Sequence, residues 1–182
     1  MIYNIVAEFD LIKKPKWIDA FRLKYDKPYR YHISFKTLTY FDEANLENLK
    51  NELEIIVNTH SNIKVIFNEL HINPTSKGGC IMIRAEHNSK LIELQNEISN
   101  KFSKFGKNIS KQYNSFERNF DPHITIARHL TVDQLENAKK DLKKDLFSKT
   151  IMNNLVFGVA KKDTFEEWSD PKNKSFFKFH KE

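Results

Sequence analysis

The chain has 182 residues, a formal net charge of +6, 40% hydrophobic and 30% charged residues, and a single cysteine. The length suits one domain, the charge mildly favours an anionic partner such as RNA or a nucleotide, and one thiol excludes an internal disulfide and a cysteine-based zinc site. No apolar run approaches the ~20 residues that span a bilayer, and Glu8 and Asp10 interrupt the apolar N-terminus where a signal peptide needs continuity, so a cytoplasmic monomer without membrane association is expected.

The opening "IYNIVAEF" is rich in β-branched and aromatic residues and reads as a strand. "KPKWIDAFRLKYD" follows as a helix, with Pro15 in its first turn and Ile18, Phe21 and Tyr25 at helical spacing. "YRYHISFKTLTYF" is a second strand. In "DEANLENLKNELEIIV", Leu46, Leu49, Leu53 and Ile56 form a helical stripe behind a capping Asp42. Strands "IKVIFNELHI" and "CIMIRAE" flank a turn-rich "NPTSKGG". The next helix, "NSKLIELQNEISNKFSKF", points Leu91, Leu94, Ile98, Phe102 and Phe105 inward and ends at Gly106. "KNISKQYNSFERNF" has no clean period. "PHITIAR" is a strand, and "TVDQLENAKKDLKKDL" a helix opened by a capping-box pattern at Thr131 and Gln134. "TIMNNLVFGVAKK" and "SFFKFHK" close the chain as strands around a "DPKN" turn.

A faint repeat runs through this order. "LENLKNEL" follows His32 and "LENAKKDL" follows His123, so two His-bearing strands lead into similar amphipathic helices. With the matched strands themselves, "YRYHISFKTL" and "DPHITIARHL", this implies two related lobes of α+β type with antiparallel sheets, within one domain over residues 1–182.

Alternation along a strand sets His32 and Ser34 on one face, and likewise His123 and Thr125, with Ile33, Phe35, Ile124 and Ile126 turned to the core. An imidazole beside a hydroxyl joins a proton donor or acceptor to a phosphate-binding group. Two such pairs supply both halves of acid–base catalysis, because an imidazole of pKa near 6.5 occupies either protonation state near neutrality. "HLTV" at residues 129–132 also fits the bare pattern. Its Thr131 is needed as a helix cap, which puts His129 in a turn and marks the match as coincidental. No Asp/Glu/His cluster has metal-ligand spacing, and the chemistry requires neither metal nor cofactor.

"HISFK" and "PHITIAR" resemble the paired H-x-[ST]-x motifs of the 2H phosphoesterase superfamily, the LigT-like or 2′-5′ RNA ligase family. Pro122 before the second His and Arg128 after it are typical of that motif, and Lys36 sits where many bacterial members carry Lys. Ser34 replaces the commoner threonine, and Tyr31 stands where the first motif would have proline. The resemblance implies two pseudo-symmetric lobes, each an antiparallel sheet with helices outside, around a central groove floored by one motif from each lobe. It implies metal-independent hydrolysis of a 2′,3′-cyclic phosphate or a related phosphodiester in RNA ends or small nucleotides. His32 and His123 are then the catalytic pair, with acid and base roles open, and Ser34, Thr125, Lys36 and Arg128 bind phosphate. The alternatives are a phosphodiesterase acting on 2′-5′ oligonucleotide or cyclic-nucleotide signals, and a non-catalytic RNA- or nucleotide-binding module.

By parity Lys36 shares the His32 face, whereas Arg128 lies opposite His123 and reaches the groove only if the strand twists or ends. Tyr31, Tyr40, Tyr113 and Phe116 are candidates to stack on a base. Asp121 and Glu117 are candidates to orient an imidazole. His71 and His87 read as strand-end residues, His180 as exposed, and His60 as favouring a helix C-terminus. Residues 106–120 hold no readable code for substrate choice.

Overall fold

A computed structural model describes residues 1–26 and 29–180. Along them run β1 (Ile2–Phe9), α1 (Trp17–Tyr25), β2 (Tyr31–Phe41), α2 (Leu46–Thr59), β3 (Ile63–Thr75), β4 (Gly78–Ala85), α3 (Ser89–Phe102), β5 (Gly106–Asn108), α4 (Lys111–Arg118), β6 (His123–Leu130), α5 (Val132–Asp141), β7 (Ser148–Met152), β8 (Asn154–Ala160), α6 (Phe165–Ser169) and β9 (Lys174–Lys178). The strands form two antiparallel sheets, β5-β2-β1-β8-β9 and β6-β4-β3-β7. The fold is α+β with antiparallel sheets, as the repeated His-bearing strand and helix imply.

The repeat is visible in this order. The run β2-β1-β8 of the first sheet corresponds to β6-β4-β3 of the second. Helix α2, which follows β2, packs on the first sheet, and α5, which follows β6, packs on the second. Two further helices cross over: α1, from before β2, lies against β6, and α3 lies against β2. Helices α2 and α3 bury most of the stripe their sequence shows, Leu49, Leu53 and Ile56 on α2 and Leu91, Leu94, Ile98 and Phe102 on α3. Leu46 and Phe105 are only partly buried, Phe105 lying beyond the end of α3. At ~1.5–3 kcal/mol for each fully buried side chain of this kind, these stripes hold the helices to the sheets. Buried residues of both sheets join in one continuous core.

Several boundaries differ from the sequence reading, each for a physical reason. The run "TIMNNLVFGVAKK" is two strands: β7 pairs with β3, and after Asn153 the chain changes sheets and β8 pairs with β1. Helix α5 opens on the expected capping box, Thr131 Oγ1 accepting from Gln134 N while Gln134 Oε1 accepts from Thr131 N. It stops at Asp141, however, where the side chain takes hydrogen bonds from Lys24 and Tyr25 of α1. Gly106 does not cap α3 in a left-handed conformation. It starts β5, whose backbone lies so close to β2 that a Cβ would sit 2.0 Å from the Tyr40 carbonyl oxygen. The unpatterned stretch after it contains β5 and α4, and α6 precedes the "DPKN" turn. His71 lies well inside β3, opposite Met82, not at a strand end. His129 belongs to the end of β6, with φ 54°, rather than to a separate turn.

No helix among the described residues is long and apolar enough to cross a membrane.

Candidate active site

Strands β2 and β6 carry the two motifs, and both break their alternation at the same place. In β2, His32 lies opposite Glu8 and Ser34 opposite Val6, but Lys36 lies opposite Ile5, so an extra residue enters at Phe35. In β6, His123 lies opposite Arg84 and Thr125 opposite Met82, but Ala127 lies opposite Ile81, so the extra residue is Ile126. Each bulge places two successive residues in the core: Phe35 and Lys36 in one strand, Ile126 and Ala127 in the other. A bulge of one residue reverses the parity of everything after it.

That reversal corrects two expectations. Lys36, expected beside His32, is turned to the buried side, where its Nζ lies 2.6 Å from Glu117 Oε2 and 3.2 Å from Asn108 Oδ1. Only about 5% of its side chain remains exposed. Arg128, expected on the far face from His123, is returned to the groove face. It lines a cleft of about 550 Å³ together with His32 and Ser34. Its Nε pairs with Asp26 Oδ1 at 2.9 Å, and its guanidinium lies over the Tyr29 ring, 4.5 Å from the centroid.

The two imidazoles are held alike. Nδ1 of His32 is 3.0 Å from the carbonyl oxygen of Arg30, and Nδ1 of His123 is 2.7 Å from that of Asp121, each two residues upstream. A carbonyl only accepts, so each Nδ1 carries a proton and each Nε2 is left to take or give one. Burial first and the Arg128 charge second, with smaller help from His123 and Arg22, push the His32 pKa down to about 4 against the pull of the Arg30 carbonyl. The His123 pKa is also lowered, first by burial. There the Asp121 carbonyl and carboxylate pull upward, while His71 and Arg84 push downward.

These shifts have a sign for stability. An unfolded imidazole titrates near 6.5, so in acid the unfolded chain binds protons that the folded chain refuses, and stability falls. The contribution of neutral His32 is complete above about pH 6.5 and is lost as pH drops from there toward 4. Melting temperatures across that range should fall more steeply for wild type than for His32→Gln. Equal slopes would show that the folded chain does not hold the His32 ring neutral below the ordinary imidazole range.

Residues around the pair divide by sheet. On the first, the floor of the cleft carries an ion pair between Glu8 and Lys174, and Tyr113 and Trp168 line its sides. On the second, Arg84 next to His123 is held by Asp121 Oδ2 at 2.7 Å and Glu69 Oε1 at 3.2 Å, with His71 Nε2 at 3.5 Å from its Nη2. The cleft wall includes His129 but neither His123 nor Thr125, which lie further along the same face of β6. Influence still crosses the groove, because the charge of His123 acts on His32.

The lesser candidates scatter. Tyr31 is buried beneath the Arg22 guanidinium and donates to Asp19, so it offers no face to a base. Tyr40 is exposed and does not line the cleft. Tyr113 does, and Phe116 meets the His123 ring edge-on at 5.9 Å. Asp121 holds an imidazole through its carbonyl, and the Glu117 carboxylate goes to Lys36 and Thr37 instead. His60 ends α2 and pairs with Glu97, and His87 and His180 are exposed. Tyr29, Arg84, Glu8 and Lys174 escaped sequence reasoning, since only long-range pairing brings them to the groove.

The fold and the twin motif strands define a class, that of bilobal proteins with one H-x-[ST] strand in each lobe. Residues 10–159 match the family described as the 2′-5′ RNA ligase superfamily, and the chain belongs to that superfamily, whose members are 2H phosphoesterases. A comparison with curated proteins returned no significant match. Among solved structures, the chain is similar to TT0787 of Thermus thermophilus, at 12% identity and TM-score 0.59, covering 99% of this chain and 96% of that one. It is similar to Kluyveromyces marxianus Usb1 at 10% identity and TM-score 0.60, covering 98% of each chain. Escherichia coli LigT, solved in complex with 3′-AMP, shares 13% identity and a TM-score of 0.52 over 98% of this chain and 94% of its own. At such identities these likenesses speak for the fold.

Proposed function

We propose that the protein is a metal-independent phosphodiesterase that hydrolyses a 2′,3′-cyclic phosphate at an RNA end or on a small nucleotide. The observation that carries this reading is the matched presentation of His32 and His123. Each follows the same strand geometry, ties Nδ1 to a carbonyl and leaves Nε2 available. Pure binding requires no such pair.

In the proposed reaction, water attacks phosphorus in line with the departing ribose oxygen. One neutral imidazole takes the proton of the water, and the other, protonated, gives its proton to the leaving oxygen, yielding a phosphomonoester and a free hydroxyl. The surroundings favour His32 as the base, since burial and the Arg128 charge both oppose a proton there. Burial lowers the His123 pKa as well, but there the Asp121 carbonyl and carboxylate oppose the shift, which makes His123 the better placed of the two to hold the proton. Ser34, Thr125 and Arg128 hold the non-bridging oxygens, where negative charge grows in the transition state. The cleft beside His32 accepts the nucleoside, with Tyr113 and Trp168 offering faces to a base.

The test incubates metal-stripped protein, with and without EDTA, with 2′,3′-cyclic, 2′-5′-linked and 3′-5′-linked nucleotides and identifies the products. Cleavage of the cyclic phosphate at the same rate in EDTA is expected, because protons alone drive the chemistry. Loss of turnover in EDTA and its return with Mg²⁺ or Mn²⁺ would overturn the two-histidine mechanism. Binding without cleavage of any substrate would make the protein a nucleotide-binding module.

A further inference from the structure

We propose that Lys36 and Glu117 form a clamp that sets α4 across both motif strands, making Glu117 a positioning residue for His123 in the phosphodiesterase reaction on which this reading rests. Lys36 follows the first motif in β2, and Glu117 lies on α4, a helix of the segment leading to the second motif. Their contact at 2.6 Å is almost wholly buried, with side-chain exposures of 5% and 8%. The Glu117 carboxylate also accepts from Thr37 N at 3.0 Å and Thr37 Oγ1 at 2.6 Å. Its backbone carbonyl accepts from Gln95 Nε2 of α3 at 2.9 Å. Asn108 of β5 completes the set, receiving Lys36 Nζ at 3.2 Å and Thr39 Oγ1 at 2.6 Å.

A buried ion pair is a poor source of stability, because desolvating two charges offsets most of their attraction. Its use lies in fixing one arrangement, and here the arrangement reaches both motifs. One residue before Glu117, Phe116 stands edge-on to the His123 ring at 87° and also meets Phe120. Nearly one turn earlier on the same helix, Tyr113 lines the cleft that holds His32. Sliding α4 by a fraction of a turn therefore changes what covers each imidazole. The groups acting on His123 are the Asp121 carbonyl and carboxylate from the preceding loop, Arg84 from β4 and His71 from β3. Across the groove its charge acts on His32 of β2. Phe116 adds an uncharged ring against the imidazole, and its withdrawal admits water to His123 while leaving those charges in place.

The experiment follows both imidazoles by NMR titration in wild type, Lys36→Met/Glu117→Gln and Phe116→Leu, and records kcat and KM against pH. The double variant removes both charges together, so no lone charge stays buried. In both variants His123 is expected to titrate higher, toward the ordinary imidazole value, with His32 nearly unmoved. The alkaline limb of the rate profile should follow His123 upward, and kcat at its optimum should fall ~10-fold or more, as loss of orientation at a reacting group does. A folded double variant with wild-type His123 titration and an unchanged profile would reduce the pair to a structural prop. Should that variant not fold, an unshifted His123 in Phe116→Leu overturns the proposal equally. Absence of turnover in wild type would count against the phosphodiesterase reading alone, and the titrations would still decide the clamp.

Discussion

His32→Ala and His123→Ala are each expected to slow hydrolysis of a 2′,3′-cyclic nucleotide by ~10²-fold or more, the usual loss on removing a general acid or base. The two rings serve one transition state, so the double variant should be little slower than the slower single one. Both variants should fold, because each removes an imidazole whose ionised form the native structure already disfavours. Thr131→Ala is the control. It loses the capping box of α5, lowering stability by ~1 kcal/mol, and its side chain is outside the cleft, so turnover should hold. Steady-state rates with melting temperatures for all four proteins decide the matter. A folded His123→Ala protein at the wild-type rate would end the two-histidine reading.

Lys36→Met is expected to be the most destabilising single change near the motifs. It leaves the Glu117 carboxylate buried without its cation, a loss of ~3–5 kcal/mol by the usual cost of breaking a buried pair. For a domain of this size that lowers the melting temperature by about 10 °C. Adding Glu117→Gln should recover part of the loss, since the amide keeps an acceptor for Thr37 without a buried charge. A surface lysine bound only to substrate would show the reverse, a weaker KM with unchanged melting. Denaturation of the single and double variants therefore separates the position seen here from the one parity implied.

Why the sequence led astray at Lys36 and Arg128 is instructive. Strand β1 could be read to the residue because its alternation is unbroken from Tyr3 through Ile5 and Ala7 to Phe9, all buried on one side. The stripes of α2 and α3 were legible for the same reason at helical period. His32, Ser34, His123 and Thr125 lie before the bulges, where the period-two rule holds, and their shared faces were legible too. Lys36 and Arg128 lie after them. A bulge leaves little local signature when its residues, such as Phe35 or Ile126 with Ala127, also suit a plain strand. Helix α4 was hidden differently: in "KQYNSFER" only Tyr113 and Phe116 are apolar, and the residue that anchors it is a glutamate whose partner stands far back in the chain. The change of sheets at Asn153 lay within an apolar run that reads equally well as one strand.

The crossing of α1 and α3 has a consequence for how such a chain could have arisen. The stretch from β1 to β3 supplies two strands and α2 to one sheet, but it sends α1 and β3 to the other. The stretch from β4 to β8 answers in kind, keeping β4, β6, β7 and α5 on the second sheet and lending α3, β5 and β8 to the first. Either half cut out alone would carry a helix with no sheet beneath it and a sheet lacking one of its covering helices. Two copies of one half, exchanging a helix and a strand, would repair both defects and bring two identical histidine strands face to face. Encoding both halves in tandem would put the two histidine strands in one chain, after which each histidine is free to acquire its own surroundings.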